Sequence, residues 1–300
     1  MSEYAVAVDF GKTRLRVALA DEQGRTSHVQ EVDSRDFTSS SDITEAVVKG
    51  VEHLRSALEE PGPGPITGVG VGSTGAVDPA TGTVLSSGSL PYLRDYDMAA
   101  QLSDRLGLPV SVVNDVSAQG LGEAVYGGHG EEDRVAFVNF GTGVGVALVQ
   151  GRRLDLGAHG SLGLISALPL PPDGRTVNQR AGGKALAPFV GEDRREGPEC
   201  DAACQDAVEA AALVIGFVAG LCDPHSVAVG GGVWLHNAWF REGVKARLHE
   251  VLSGQTTGLS VPHVVTARLG DRAGLVGAGH LGLAAGKSPA FGARAVTARP

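Results

Sequence analysis

The sequence predicts an α/β protein built from two duplicated domains with a cleft between them. Two observations carry this reading. Apolar runs of strand length alternate with amphipathic helical segments, the pattern of layered α/β folds. Residues 9–19 (Asp-Phe-Gly-Lys-Thr-Arg-Leu-Arg-Val-Ala-Leu) and residues 139–148 (Asn-Phe-Gly-Thr-Gly-Val-Gly-Val-Ala-Leu) also share one form: strand, tight glycine turn, strand. Each opens its half of the chain, as a duplicated domain pair requires.

The elements follow in order. Tyr4 to Val8 is a short apolar strand ending at Asp9, and Leu15 to Ala20 and Arg25 to Val32 follow as strands two and three. A helix is predicted from about Ser41 to Glu59, because Ile43, Val47, Val51, Leu54 and Leu58 keep helical spacing. Asp42 with Glu45 offers a capping box at its start. Glu60 to Pro65 is a Pro/Gly linker, and Ile66 to Val71 returns as a strand. A helix over Asp97 to Leu106 precedes the strand Val110 to Val113.

The second half restarts with strands Arg134 to Phe140, Val144 to Gln150 and Arg152 to Leu156. The helix Cys204 to Leu221 leads to the strand Ser226 to Val229 and a helix running to about Leu252. Val264 to Ala267 is the last strand and Asp271 to Ala285 the last helix. The expected domains are 1–118 joined by helix 271–285, then 119–270, with 286–300 a loose tail.

Composition bounds the function. Of 300 residues, 42% are hydrophobic, enough for a sizeable core, and the 44 glycines fall in short runs that suit tight turns and close backbone approaches. A net charge of −9 argues against nonspecific nucleic-acid binding, which needs a basic face. No secretion signal precedes the first strand, and no apolar run approaches the roughly 18–20 residues of a membrane span. Cys200, Cys204 and Cys222 make no disulfide framework. The expectation is a cytoplasmic protein with no nucleic-acid or membrane partner.

Four segments carry chemistry. Asp9-Phe-Gly11-Lys12-Thr13 sets a carboxylate at a strand end beside a turn whose amides can approach phosphate oxygens. Asp9 suits Mg²⁺ directly or through water, Thr13 can donate to a phosphate, and Lys12 or Arg14 can neutralise one. Gly141-Thr142-Gly143-Val144-Gly145 repeats this chemistry in the second half. Gly230-Gly231-Gly232 lies between a strand and a helix, where a flat ligand or phosphate can lie against bare backbone. Asn114-Asp115 sits at the carboxyl end of a strand, where open α/β sheets place ligand groups. There Asp115 can accept a proton from a substrate hydroxyl and Asn114 can help orient it; both residues are also favoured helix caps.

The ordered set Asp9-Phe-Gly-Lys-Thr13, Val71-Gly-Ser-Thr-Gly75, Leu106 to Asp115, Gly141 to Gly145, Asp223-Pro224, Gly230 to Val233 and Leu269-Gly-Asp-Arg-Ala-Gly-Leu-Val-Gly-Ala278 resembles the ROK family over about residues 4–285. That resemblance implies an actin-like (ribonuclease H-like) ATPase fold and a sugar kinase using ATP and Mg²⁺, with a homodimer possible. It implies Asp115 as catalytic base. Thr74, Gly75, Ser89 and Asn114 fall on the substrate side. Asp9, Gly11, Lys12, Thr13, Gly141, Thr142 and Gly143 hold phosphates, and Gly230, Gly231 and Gly232 lie near the adenosine.

The chain also departs from the family pattern. Lys12 stands where the first loop usually has a second glycine, and Ser89 where sugar-kinase members have Asn. Leu164 and Ala167 replace the sugar-binding Glu and the His. The cysteine-rich zinc loop is missing: residues 168–183 contain no cysteine, and the C-x₃-C pair Cys200 and Cys204 does not supply a zinc site. Sites built to hydrogen-bond hydroxyls discriminate strongly, so this loss of acceptors with Asp115 kept points to changed specificity. A modified hexose, an amino sugar or a cyclitol fits better than glucose. The competing readings are a ligand-binding pseudokinase that no longer transfers phosphate, and an actin-like ATPase of other chemistry. A DNA-binding repressor fits poorly, because Asp9 lies too near Met1 for a helix-turn-helix.

Overall fold

The protein is described by a computed structural model covering residues 3–57, 64–131, 133–189, 198–253 and 263–287. Its strands are β1 (Tyr4–Phe10), β2 (Arg14–Asp21), β3 (Thr26–Asp33), β4 (Ile66–Ser73), β5 (Ala76–Asp78), β6 (Thr83–Ser86), β7 (Arg94–Asp97), β8 (Val110–Asn114), β9 (Arg134–Phe140), β10 (Val144–Gln150), β11 (Arg153–Asp155), β12 (Ser226–Gly230) and β13 (His263–Thr266). Its helices are α1 (Ser40–Ala57), α2 (Met98–Leu106), α3 (Asp115–Tyr126), α4 (Val177–Ala181), α5 (Gly183–Leu186), α6 (Pro198–Cys222), α7 (Gly232–His236), α8 (Ala238–Ser253) and α9 (Ala273–Lys287). The expected tail beyond Lys287, most of the linker at 60–65 and the last two residues of the expected helix 41–59 lie outside the described residues.

The chain divides into two units: residues 1–128, 153–162 and 271–300, and residues 129–152 and 163–270. The expected boundary at residue 118 falls inside α3.

The first unit is built on a sheet of order β3-β2-β1-β4-β8. β1 pairs antiparallel with β2 and parallel with β4, and β4 pairs parallel with β8. Side chains alternate across a strand, so the two faces differ in kind. One face presents Val6, Val8, Phe10, Leu15, Val17, Leu19, Val69 and Val71, and α1 and α2 bury Ile43, Val47, Val51, Leu54, Leu102 and Leu106 against it. The other face presents small residues at the same alternation, Ala5 and Ala7, Ala18 and Ala20, Gly68 and Gly70, and ends in Asp9 and Arg16.

α9 lies on that small-residue face. Ala7, Ala18, Ala20, Leu275 and Ala278 form one buried cluster there. The approach is backbone to backbone. A Cβ at Gly70 would stand 1.9 Å from the Ala278 carbonyl oxygen. On the other side of α9, a Cβ at Gly277 would stand 1.8 Å from the carbonyl oxygen of Ala118 in α3. These distances leave no room for any side chain.

The start of α1 differs from the expected capping box. Asp42 is inside the first turn, and its Oδ2 accepts from the Thr38 and Ser39 amides at 2.8 and 2.9 Å. It thus supplies the reaching-back half of the box, while Glu45 pairs with Arg105 at 2.7 Å.

The second unit repeats the arrangement. Four of its strands lie in the order β10-β9-β12-β13, matching β2-β1-β4-β8. β9–β10 is antiparallel, and β9–β12 and β12–β13 are parallel. The hairpin repeat read in the sequence therefore extends to strand order and direction. Phe140, Trp234 and Phe240 form an aromatic cluster in its core, with ring centroids 5.5–6.4 Å apart.

One expectation needs correcting here. Within α6, Cys200–Cys222 is long and apolar enough to cross a membrane by length and composition, with a mean hydropathy of 1.6. Ala207, Ala210, Ala211, Val214 and Ile215 bury part of that apolar surface in the core of the unit.

The α9 packing gives a paired prediction. Gly277→Ala is expected to destabilise the protein by about 2 kcal/mol or more, because backbone must move to admit the methyl. Gly220→Ala, in α6 with nothing within 4 Å of its would-be Cβ, is expected to stabilise by about 0.5 kcal/mol through helix propensity. Urea unfolding of both variants checks the contrast.

Candidate active site

The parallel strands β1, β4 and β8 end together, and the register aligns Asp9 with Gly72, Gly72 with Val113, and Ser73 with Asn114. The carboxylates predicted from sequence, Asp9 and Asp115, thus share one edge of the sheet with Gly72 between them. A Cβ at Gly72 would lie 4.0 Å from Asp9 Oδ1 and 3.6 Å from the Asp115 Cα. No side chain at position 72 screens one carboxylate from the other.

Asp115 is the first residue of α3, and its Oδ1 accepts from the Val116 amide at 2.9 Å. Asn114 caps the helix by accepting from the same amide at 2.9 Å, and its Nδ2 donates to the Gly75 carbonyl at 2.8 Å. The cap reading of Asn114 therefore holds, and it leaves the Asp115 carboxyl at the strand end. Burial pushes the Asp115 carboxyl up to about 7, and the negative charge of Asp9 adds to the rise, while the Val116 amide opposes it. A carboxyl that titrates near neutrality can take up a proton there and release it.

Asn114 leads to the other predicted substrate-side residues. The Thr74 amide donates to the Phe10 carbonyl at 2.9 Å, which ties the β4 end to β1. Gly75 has φ +105°, and a Cβ there would meet the Ser86 carbonyl oxygen at 2.5 Å and the Ser87 Cβ at 3.1 Å. Only glycine satisfies both constraints. Ser87 Oγ in turn lies 3.1 Å from Ser89 Oγ. Among the described residues no hydrogen bond joins Ser89 to Asn114; the two approach one another through Ser87 and Gly75.

The first glycine turn is closed by the Gly11 amide donating to Arg14 O at 2.9 Å, and Ser34 Oγ donates to Gly11 O at 2.8 Å. Among the described residues, no acceptor is recorded for the amides of Lys12 and Thr13, both exposed at the tip. The second turn is one residue shorter but is likewise closed at its first glycine. The Gly141 amide donates to Gly143 O at 3.0 Å, leaving the Thr142 and Gly143 amides without a recorded acceptor among the described residues. Two such amides can hold an anion, so both turns suit phosphate oxygens.

Sequence reading missed what supports these turns. Asn178 of α4 accepts from the Val144 amide at 2.7 Å, and the Gly183 and Lys184 amides donate to the Gly141 and Thr142 carbonyls at 2.8 and 3.3 Å. α4 and α5 therefore clamp the second turn from its carbonyl side, which leaves its amides outward. Asn139 occupies the place in β9 that Asp9 occupies in β1, and Gly230 pairs with it as Gly72 pairs with Asp9. Gly231 has φ +88°, and a Cβ there would meet Phe140 O at 2.4 Å and Asn139 Oδ1 at 2.5 Å. Gly232 then opens α7. The three glycines allow close passage of backbone beside the β9 end.

Also missed was Arg16. It pairs with Asp9 across β1 and β2, is nearly buried, and donates to Asp9 Oδ2 at 2.5 Å. The signal was available: Arg16 shares the strand face of Ala18 and Ala20. The loop before α4, where a zinc segment is missing from the sequence, is held by Arg180. Its guanidinium donates to Asp206 Oδ1 at 2.6 and 2.9 Å and to Pro171 O at 2.7 Å. Among the described residues no cluster of three or more His, Cys, Asp or Glu could hold a metal by itself. Asp9 offers a single hard oxygen, Oδ1, which fits a cation that keeps most of its ligands as water and phosphate.

The sequence model of the ROK family matches residues 5–285. A glucokinase of Streptomyces coelicolor is 27% identical over 315 aligned positions, covering 92% of this chain and 96% of that one. The bifunctional enzyme NanE/NanK of Brucella melitensis is 31% identical over 223 positions, covering 69% of this chain and 42% of that one. Among solved structures, the ROK family glucokinase of Streptomyces griseus, in complex with glucose and AMPPNP, superposes with a TM-score of 0.78 at 24% identity, covering 94% of this chain and 99% of that one.

The raised Asp115 titration has a stability consequence. The folded state binds the proton more tightly than the unfolded chain, so stability present below about pH 4 is lost as pH rises toward 7. Asp115→Asn is therefore expected to be more stable than the parent at pH 8, by about 1 kcal/mol or more, with the difference vanishing near pH 4. Urea titrations at the two pH values check this.

Proposed function

The chain belongs to the ROK family, and from that membership we propose that it is an ATP-dependent carbohydrate kinase with Asp115 as general base. The observation that carries the proposal is Asp115 itself: a carboxyl at the end of β8, raised to about 7, on the same sheet edge as Asp9. A substrate hydroxyl oxygen attacks the γ-phosphorus of ATP, the bond from that phosphorus to the β–γ bridging oxygen breaks, and ADP leaves. The hydroxyl proton passes to the Asp115 carboxylate as the new P–O bond forms. Asn114, fixed by its bond to Gly75, orients the hydroxyl. The tip amides at 12–13 in the first unit and at 142–143 in the second each suit phosphate oxygens, and the bare backbone of Gly230 to Gly232 suits a nucleotide. Asp9 would hold Mg²⁺, directly or through water, and the ion would supply charge neutralisation at the transferring phosphoryl group.

The substrate is a modified sugar, an amino sugar or a cyclitol, phosphorylated on a primary hydroxyl where it has one. Leu164, 41% exposed, and Leu168, 54% exposed, support this choice. They lie in the segment that by family resemblance carries sugar ligands. An apolar surface there favours a ligand that presents a substituted or deoxygenated edge rather than a full set of hydroxyls.

ADP release with Mg²⁺–ATP across hexoses, amino sugars and cyclitols tests the reading. Turnover dependent on one modified class is expected, and Asp115→Asn should lower kcat by about 10³-fold. Ligand binding with no turnover on any panel member would replace the kinase by a sensor.

A further inference from the structure

We propose that Arg16, oriented by Asp271, is a positioning residue that turns Asp9 toward the reacting phosphoryl group. The inference rests on the kinase reading and deepens it, by naming what sets the orientation of the Mg²⁺-facing carboxylate.

The two oxygens of Asp9 have different surroundings. Oδ2 accepts from Arg16 Nη2 at 2.5 Å. Oδ1 accepts no hydrogen bond among the described residues; it lies 2.8 Å from where a Cβ at Gly274 would stand and 4.0 Å from where one at Gly72 would stand. One oxygen is thus committed to the guanidinium, and the other lies between the end of β4 and the first turn of α9. The position above Asp9 is fixed as well. A Cβ at Gly274 would come 2.8 Å from Oδ1 and 2.9 Å from Cγ, so the carboxyl fills the space beside the first turn of α9 and cannot swing upward.

Arg16 is held in turn. Its Nη1 donates to Asp271 Oδ2 at 3.0 Å and its Nη2 to the Asp271 carbonyl at 2.9 Å. The planar guanidinium with two fixed contacts on Asp271 has one orientation left for Asp9. Arg14, on the same strand, donates to Asp271 Oδ1 at 3.1 Å and steadies that carboxylate from outside. The side chain of Arg16 is 10% exposed and that of Asp271 is 68% exposed, so the string runs from the surface to the site. One oxygen is spent on the ion pair and the other is kept from it, which suits a carboxylate that meets a hydrated cation.

The test measures AMPPNP affinity by calorimetry with and without Mg²⁺, which reports coupling between cation and nucleotide independently of turnover. The parent is expected to show coupling of about tenfold or more. Arg16→Gln should reduce it to about twofold or less, and Arg16→Lys, which keeps the charge but not the fork, should recover part of it. kcat should fall in Arg16→Gln while KM for the sugar stays within about twofold. Arg105→Ala, which removes the exposed pair with Glu45, controls for loss of an ion pair as such. If Arg16→Gln fails to fold, Asp271→Asn, at an exposed carboxylate, is expected to lower the coupling about threefold. Unchanged coupling in a folded Arg16→Gln, or in Asp271→Asn, would overturn the proposal and leave Arg16 a structural residue. A parent protein that binds no AMPPNP would instead remove the kinase reading beneath it.

Discussion

The rest of the first unit depends on the contact of α9 with a stretch of sheet face lined by alanine and glycine. Ala5, Ala7, Ala18, Ala20, Gly68 and Gly70 alternate with valine, leucine and phenylalanine along β1, β2 and β4, which concentrates all bulk on the α1 side. The helix can therefore descend until backbone meets backbone, at Gly70 against Ala278 and at Gly277 against Ala118. Continued by one alternation, the same face places Asp9, Arg16 and Gly72 under the start of α9. The site is the end of the close-packed face, where small residues give way to charge. Because α9 also packs on α3, the helix that begins at Asp115, one contact fixes the surroundings of both carboxylates.

The second unit uses the same strand order with different chemistry at the equivalent edge. Asn139 stands where the first unit has Asp9, and Gly230 stands where it has Gly72. An amide at that point adds no negative charge beside a turn suited to phosphate oxygens, whereas a carboxylate suits a cation. The loops of the two units thus share a backbone form, closed at the first glycine and open at the tip amides, while the adjoining side chains divide the work. The proposed division follows: proton and cation chemistry in the first unit, nucleotide binding in the second.

Local composition made much of this legible. The glycine turns, the strand ends carrying Asp9 and Asn114-Asp115, and the duplicated hairpin were read directly, because each is a short signal with a physical meaning at its own position. Arg16 was overlooked although strand alternation put it opposite Asp9. Its partner Asp271 lies 255 positions away, and no local pattern joins them. Asn178 and the Gly183-Lys184 amides act by bringing a separate segment to the second turn, which is also a property of the fold rather than of any window of sequence. At α1, the Asp42–Glu45 spacing suggested a cap, but the helix starts two residues earlier, and Asp42 reaches back while Glu45 pairs elsewhere. Helix ends are set by a balance of small terms, and this one moved accordingly.

The central claim is that burial beside Asp9 tunes Asp115 into a base that works near neutrality. The pH dependence of kcat/KM for phosphoryl transfer to the preferred sugar tests it most directly, since that profile reports the groups of the free enzyme. The account predicts an acid limb with an apparent pKa near 7, the value to which Asp115 is raised. A rate that stays flat down to about pH 5, close to the range of an unperturbed carboxylate, would contradict it.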